Sequence, residues 1–303
     1  MKDYPLISIA LCTYNGEEFL EKQINSICCQ SYSNLEIIIV DDNSSDGTWD
    51  ILQTMSNNRS NIKIHKNNSN IGFIKNFEKA LRLCTGDYIA MSDQDDIWNP
   101  NKIEVLMEQI KMHMLVYHDS SFINEEDKLI SEKTESEIYD KFNDQSNLFF
   151  LKHNSIPGHS SMFRKELLTY ALPFHHNFYH DWWLAFVAQS IGSIGFVPQV
   201  LAKHRQHAHN VTDPLTLRAQ QKKSKKSFEF NLEWVKHLAE FNCPNQNEIR
   251  CIYDILSNRQ RGKKGLRYWS FLLRYYEVLE GIDLSSKSTL SRLNLLRKIY
   301  FNS

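Results

Sequence analysis

The sequence predicts an α/β fold with a mostly parallel central sheet flanked by helices, followed by a helical C-terminal extension. Three observations carry this. Short apolar runs alternate with amphipathic helical stretches over the first 110 residues, as βαβ crossovers require. Clusters of polar residues close these runs, at the carboxyl ends of strands where open α/β sheets bind ligands. Beyond residue 210 the chain turns Lys/Arg-rich and helical, with little Gly or Pro.

Residues 6–12 form an isoleucine-rich run between Pro5 and Thr13-Tyr-Asn-Gly16, a buried strand and a turn. Residues 17–30 place Phe19, Leu20, Ile24 and Ile27 on one helical face. A second strand, 35–40, ends at Asp41-Asp-Asn-Ser-Ser-Asp-Gly47, and a helix over 48–55 follows. Residues 62–65 read as the third strand and 73–83 as the third helix, with Ile74, Phe77 and Leu81 as its buried stripe. The fourth strand, 87–91, ends at Ser92-Asp-Gln-Asp-Asp96. Trp98-Asn-Pro100 opens another helix, and a strand covers 115–118. Residues 120–147 are polar and charged and read as a surface excursion; 148–151 is apolar again, and His180-Asp-Trp-Trp183 opens a helix to about residue 191. The expected organisation is a catalytic domain over 1–210, its ligand-binding half about 1–120 and its second half about 120–210, then a basic helical region over 211–303.

The chain has 303 residues, 42% hydrophobic and 23% charged, with a net charge of −1. That total conceals an asymmetry: residues 211–303 carry 17 Lys/Arg against 9 Asp/Glu, and residues 1–210 carry 18 against 27. A tail of net +8 on a body of net −9 points to an anionic partner such as a membrane surface, lipid phosphate or nucleic acid. The six cysteines form no CxxC pair, so neither a disulfide framework nor a zinc-ribbon site is expected. With no apolar leader and no run of ~20 apolar residues, the expectation is a cytoplasmic protein, soluble or peripheral on the inner membrane face.

The strand-end loops indicate the chemistry. There is no GxGxxG after the first strand and no GxxxxGK[ST], which argues against dinucleotide and P-loop sites. Instead Asp93, Asp95 and Asp96 fall within four residues, where mutual repulsion calls for a cation or a donor nearby, unless they form a solvated turn capping the next helix. Hard oxygen ligands suit Mg²⁺ or Mn²⁺, ions that complete their shells with substrate phosphates.

Four ordered segments, Ser8-Ile-Ala-Leu-Cys-Thr-Tyr-Asn15, Val40-Asp-Asp-Asn-Ser-Ser-Asp-Gly-Thr48, Asn70-Ile-Gly72 and Gly86-Asp-Tyr-Ile-Ala-Met-Ser-Asp-Gln-Asp-Asp96, resemble the family 2 glycosyltransferases of GT-A fold. His180-Asp-Trp-Trp-Leu184 and His204-Arg-Gln-His207 are similar to bacterial members that build O-antigen or capsule, many called rhamnosyltransferases. The resemblance implies that Thr13, Tyr14 and Asn15 line a nucleotide, with Tyr14 at the base, and that Asp42 accepts from uracil or thymine. It implies that Asn70, Gly72 and Asn76 complete the nucleotide pocket. Asp93 would meet ribose or metal, Asp95 the metal, and His207 would be a third ligand. Asp181, where the family often has Glu-Asp and this chain His180-Asp181, would be the base for inversion, with a helix cap as its alternative role. His159 and Trp182 would approach the acceptor.

The implied activity is inverting, metal-dependent sugar transfer from a UDP- or dTDP-sugar to a polyprenyl-diphosphate-linked saccharide. The basic, aromatic-rich segment 261–276 would suit an anionic leaflet or pack on the protein. No nucleic-acid motif accompanies it. A sugar nucleotidyltransferase would need an Arg-containing, glycine-rich first loop, and a non-catalytic sugar-nucleotide-binding protein would not need these carboxylates.

Overall fold

The computed structural model describes residues 4–57, 59–138, 142, 146–208, 210, 231–260, 265–280 and 288–302. These form two compact units, Met1–Tyr139 with Ile156–Thr212, and Asp140–Ser155 with Asp213–Ser303.

The first unit opens with β1 (Ile7–Thr13), α1 (Leu20–Cys28), β2 (Leu35–Asp41), α2 (Thr48–Asn57), β3 (Ile62–Lys66), α3 (Phe73–Leu83) and β4 (Tyr88–Ser92). β1 lies parallel to both β2 and β4, and β3 parallel to β2. Thr13 stands opposite Asp41 and Leu11 opposite Ser92, so the polar loops after β1, β2 and β4 open on one edge of the sheet. This register follows from burial: Ile7, Ile9, Leu11, Ile37 and Ile39 are fully buried against Leu20, Ile24 and Ile27 of α1. Each such side chain contributes about 1.5–3 kcal/mol, and a one-residue slip would turn it to the other face. At the opposite edge the buried Glu36 carboxylate accepts from Ser8 Oγ, Thr85 N, Thr85 Oγ1 and Lys63 Nζ at 2.6–2.9 Å.

The unit continues with β5 (Ile97–Trp98), α4 (Lys102–Ile110), β6 (Leu115–Ile123), α5 (Glu135–Ile138), a 3-10 turn at Gly158–Ser160, β7 (Ser161–Arg164), α6 (Leu168–Ala171), α7 (His180–Ile191) and β8 (Ile194–Arg205). Among the described residues the sheet has eight strands in the order β3-β2-β1-β4-β7-β6-β8-β5. β7 runs antiparallel to β4 and β6, β5 runs antiparallel to β8, and β6 and β8 are parallel.

Several elements depart from the sequence reading. Trp98 belongs to a short strand and α4 starts only at Lys102. β6 runs on to Ile123, because a bulge at Asp119 lets polar residues continue the ladder beside β8. The expected surface excursion is so in part: residues 125–133 are largely exposed, while Glu135 and Ile138 turn inward. Asp119 Oδ1 accepts from Ser136 N, and Asp119 Oδ2 accepts from Thr134 Oγ1 and Ser136 Oγ, at 2.6–2.9 Å. That anchor carries Glu135 inside, to 3% exposure.

In the second unit the apolar run expected at 148–151 forms a 3-10 turn, Asn147–Leu151. It joins α8 (Leu232–Glu240), α9 (Gln246–Gln260), α10 (Leu266–Glu280) and α11 (Thr289–Asn302). Asn231 caps α8 by accepting from Glu233 N and Trp234 N. Buried Trp234 donates Nε1–H to Phe150 O at 2.8 Å. On α10, Tyr268, Phe271 and Leu272 are buried, at most 2% exposed. The start of the basic segment, 261–264, lies outside the described residues, as do His209 and all of 211–230. Among the described residues no helix is long and apolar enough to cross a membrane.

Candidate active site

Three loops build the site. After β1, Thr13 Oγ1 donates to Asp41 Oδ1 at 3.0 Å, and Tyr14 leaves its ring about half exposed. Asn15, at φ 47°, donates N–H to Ser44 Oγ and accepts from Ser45 N through Oδ1, both at 2.9 Å. The β1 and β2 loops are thereby fastened together.

After β2, Asp42 is 2% exposed. Its Oδ1 accepts from Asn67 Nδ2 and Ile71 N, and its Oδ2 from Gly72 N, all at 2.8–2.9 Å. Asn76 is buried too, donating to Val40 O and accepting from Asn67. Asn70 Oδ1 accepts from Gly72 N at 3.1 Å. Gly72, at φ 83°, has open space where a Cβ would stand. Asp42 and Asn76 thus brace the 67–72 loop from within, while Tyr14 and Asn70 stay exposed at the surface.

After β4, three carboxylates differ sharply. Asp96 is fully buried, Asp95 has a 14% exposed side chain, and Asp93 has 47%. Burial at its base and the neighbouring Asp96 and Asp95 push the Asp93 carboxyl up to about 7, a shift its open outer face tempers. His207 Nε2 lies 2.8 Å from Asp95 Oδ2, with its ring packed on Phe19. Gln94, between the two aspartates, accepts from Tyr14 N at 2.8 Å and donates to Tyr14 O at 3.1 Å. A side chain on Gly16 would collide with Gln94.

Arg205 and Lys102 support this loop, and the sequence reading assigned no role to either. Arg205 is fully buried; its N–H donates to Asp96 Oδ1, its Nε to Asp95 O and its Nη1 to Asn124 O, and Nη2 pairs with Asp127. Lys102 donates to His159 O at 2.7 Å and sits 3.5 Å from the Trp98 ring centroid. Burial pulls its ammonium down to about 7 against Asp96 and Asp93. A Lys at helical spacing and an Arg between two histidines look like surface residues in sequence; only the tertiary structure reveals them as anchors.

α7 supplies Asp181. Its N-cap is Tyr179, so Asp181 lies in the first turn rather than at the cap, its Oδ1 accepting from Trp182 N at 2.7 Å. A Cβ on Gly158 would lie 3.6 Å from Asp181 Cβ and 3.2 Å from Met91 Cε, so Gly158 seats the helix start beside β4. His180 is buried and stacks on Phe77 at 4.3 Å, and burial lowers its pKa. Trp182 is half-buried; Trp183 is buried and donates Nε1–H to Ala171 O. His159, expected at the acceptor, is 3% exposed and lies against Glu135, His204 and Ser120, with Nδ1 4.0 Å from Asp93 Oδ2. An open groove lined by Arg82, Tyr88 and Arg164 lies at the start of β4, away from these loops.

A mostly parallel sheet whose strand ends carry interlocked polar loops and a row of carboxylates is a GT-A-type transferase architecture. The glycosyl transferase family 2 profile matches residues 8–170, and the chain belongs to that family. It is 28% identical over 228 residues, 70% of this chain and 69% of the relative, to an "Uncharacterized glycosyltransferase" of Haemophilus influenzae. It is 34% identical over 126 residues, 42% of this chain and 49% of the relative, to the Escherichia coli UDP-Glc:alpha-D-GlcNAc-diphosphoundecaprenol beta-1,3-glucosyltransferase WfaP. Two solved structures share the fold. TarS 1-349 of S. aureus in complex with UDP-GlcNAc has a TM-score of 0.58 at 17% identity, covering 97% of this chain and 81% of that one. The mannosyltransferase PcManGT of Pyrobaculum calidifontis, in complex with GDP-Man and Mn²⁺, has a TM-score of 0.56 at 16% identity, covering 98% and 80%.

Proposed function

We propose that the protein is an inverting glycosyltransferase that moves one sugar from a UDP- or dTDP-sugar to a saccharide acceptor carried on a polyprenyl diphosphate. The observation that carries this reading is the β4 edge. There Asp95 and His207 converge at 2.8 Å beside the open carboxylate of Asp93, while Gly158 seats Asp181 against β4. The donor set fits a divalent cation, since its carboxylates lack the hydrogen-bond donors that satisfy Asp42. The nitrogen of His207 favours Mn²⁺ over Mg²⁺. When bound, such an ion would neutralise the diphosphate leaving group.

The chain's own residues do the rest. Tyr14 offers a half-exposed ring to the base, and Asp42 fixes the backbone of Ile71 and Gly72 that walls the nucleotide. Asp181 takes the acceptor hydroxyl proton as the new C–O bond forms and the anomeric C–O bond to phosphate breaks on the opposite face. The E. coli relative named for a diphosphoundecaprenol acceptor supports a lipid-linked saccharide. The net +8 of residues 211–303 supports an anionic membrane surface for its delivery, on the inner face of the cell membrane.

The test is a thermal-shift panel of nucleotide-sugars with and without Mn²⁺, followed by transfer assays with the donor that binds. A binding donor raises the melting temperature. Asp181→Asn should keep that shift and lose transfer; transfer undiminished in both Asp181→Asn and Asp95→Ala would sink the reading.

A further inference from the structure

Glu135, His159 and His204 come from α5, the turn before β7 and the end of β8. They meet in a part of the first unit that solvent does not reach, at 3%, 3% and 8% exposure. His159 Nε2 is 3.3 Å from Glu135 Oε2, and His204 Nδ1 is 3.3 Å from Glu135 Oε1. The two imidazole centroids are 4.3 Å apart, and one ligand atom from each residue falls within 4.8 Å of the others. Neither Glu135 oxygen nor His204 Nδ1 has a hydrogen-bond partner. Ser120 Oγ, 3.2 Å from His159 Nε2, is a further polar neighbour.

Buried polar atoms are rarely left unsatisfied, because each costs free energy. These face one another at a spacing too long for good charge-assisted hydrogen bonds. Each His–Glu distance, to its own Glu135 oxygen, is close to the about 3.3–3.4 Å that separates two atoms each about 2.0–2.1 Å from a tetrahedral centre. We propose that Glu135, His159 and His204 form a second, buried metal site, separate from Asp93, Asp95 and His207, whose fitting occupant is Zn²⁺. Two imidazole nitrogens and a carboxylate are donors that zinc accepts with low coordination number, whereas Mg²⁺ demands oxygen ligands and retained waters. Water or the Ser120 hydroxyl would complete four ligands.

The site has a consequence for its neighbour. A histidine bound through Nε2 keeps its proton on Nδ1, and His159 Nδ1 is the atom nearest Asp93, at 4.0 Å. The buried ion would thus fix which face of His159 turns toward the open carboxylate. The proposal does not rest on sugar transfer.

The experiment uses the full chain, purified with zinc and passed through metal-free buffer containing a chelator. Zinc is then counted by mass spectrometry, and the stripped protein is titrated with Co²⁺. Wild type and Asp95→Ala should each retain about one zinc per chain and give the intense visible bands of four-coordinate Co²⁺; Glu135→Gln and His204→Gln should retain less than about a tenth as much and give none. Wild-type protein that holds no zinc and shows no such bands overturns the proposal without recourse to any variant. So does a folded Glu135→Gln, checked by circular dichroism, that holds zinc as wild type does. Failure of every nucleotide-sugar to bind while the zinc remains would count against the transferase reading alone.

Discussion

Two strand ends of the same sheet each present a pair of aspartates, and they are built to opposite ends. At the close of β2, Asp41 and Asp42 are buried, and their oxygens accept from Thr13, Ser44, Asn67, Ile71 and Gly72. At the close of β4, Asp93 is open, with His159 Nδ1 4.0 Å from its Oδ2. Asp95 meets a single imidazole. Identical side chains at equivalent places thus divide the work: a carboxylate whose lone pairs are filled by the chain organises loops, and one left short of donors is ready for a ligand.

Removing a ligand-ready carboxylate should cost activity with little loss of stability. Asp95→Ala should lower kcat/KM by about 10⁴-fold, roughly 5 kcal/mol, with the melting temperature nearly unchanged. Initial rates of nucleotide release across a Mn²⁺ series would check it. If Asp181 is the base proposed above, Asp181→Asn should lower kcat by about 10³-fold and leave the donor KM within a few fold, since a base acts on the proton and not on the nucleotide. Equal losses in kcat and donor affinity would place Asp181 in binding instead.

A filled carboxylate should show the reverse. Glu36 is the extreme case: burial pushes its pKa up, yet hydrogen bonds from Ser8, Lys63 and Thr85 hold it down at about 2, against an ordinary 4.5. Since the folded pKa is the lower, its contribution, about 3 kcal/mol, is present above pH 4.5 and lost as pH falls through about 2. Urea melts should find Glu36→Gln destabilised at neutral pH and its stability flatter than wild type between pH 4.5 and 2. Asp42→Asn, which turns an NH₂ group toward the Ile71 and Gly72 amides, should cost about 2 kcal/mol of stability. Its donor KM should rise about tenfold, read in the same transfer assay.

The contrast also explains what the sequence discloses. The first four strands are legible because each is an apolar run closed by Gly, Asn or Asp, and both strand-end clusters follow from that alone. α3 is read at Phe73–Leu83, as observed, because its apolar stripe and the glycine before it agree. Whether an aspartate is filled or open is not legible, since its donors lie in other loops. Glu135 sits in a charged stretch that looks solvated, and its burial depends on Asp119 gripping Thr134 and Ser136 across the chain. Arg205 is equally opaque, because the backbone groups it holds, at Asp95 and Asn124, leave no mark in composition.

Gln94 has a consequence for the order of events. Its amide grips both the N–H and the C=O of Tyr14, and its backbone joins Asp93 to Asp95. Any movement of Tyr14 to admit a base must therefore pull on the carboxylates, and any tightening of those carboxylates must pull on Tyr14. Base and cation would then bind with a shared coupling free energy, each raising the affinity of the other by the same factor. Replacing this one neutral side chain should then weaken that coupling, which binding of nucleotide with and without the cation would read.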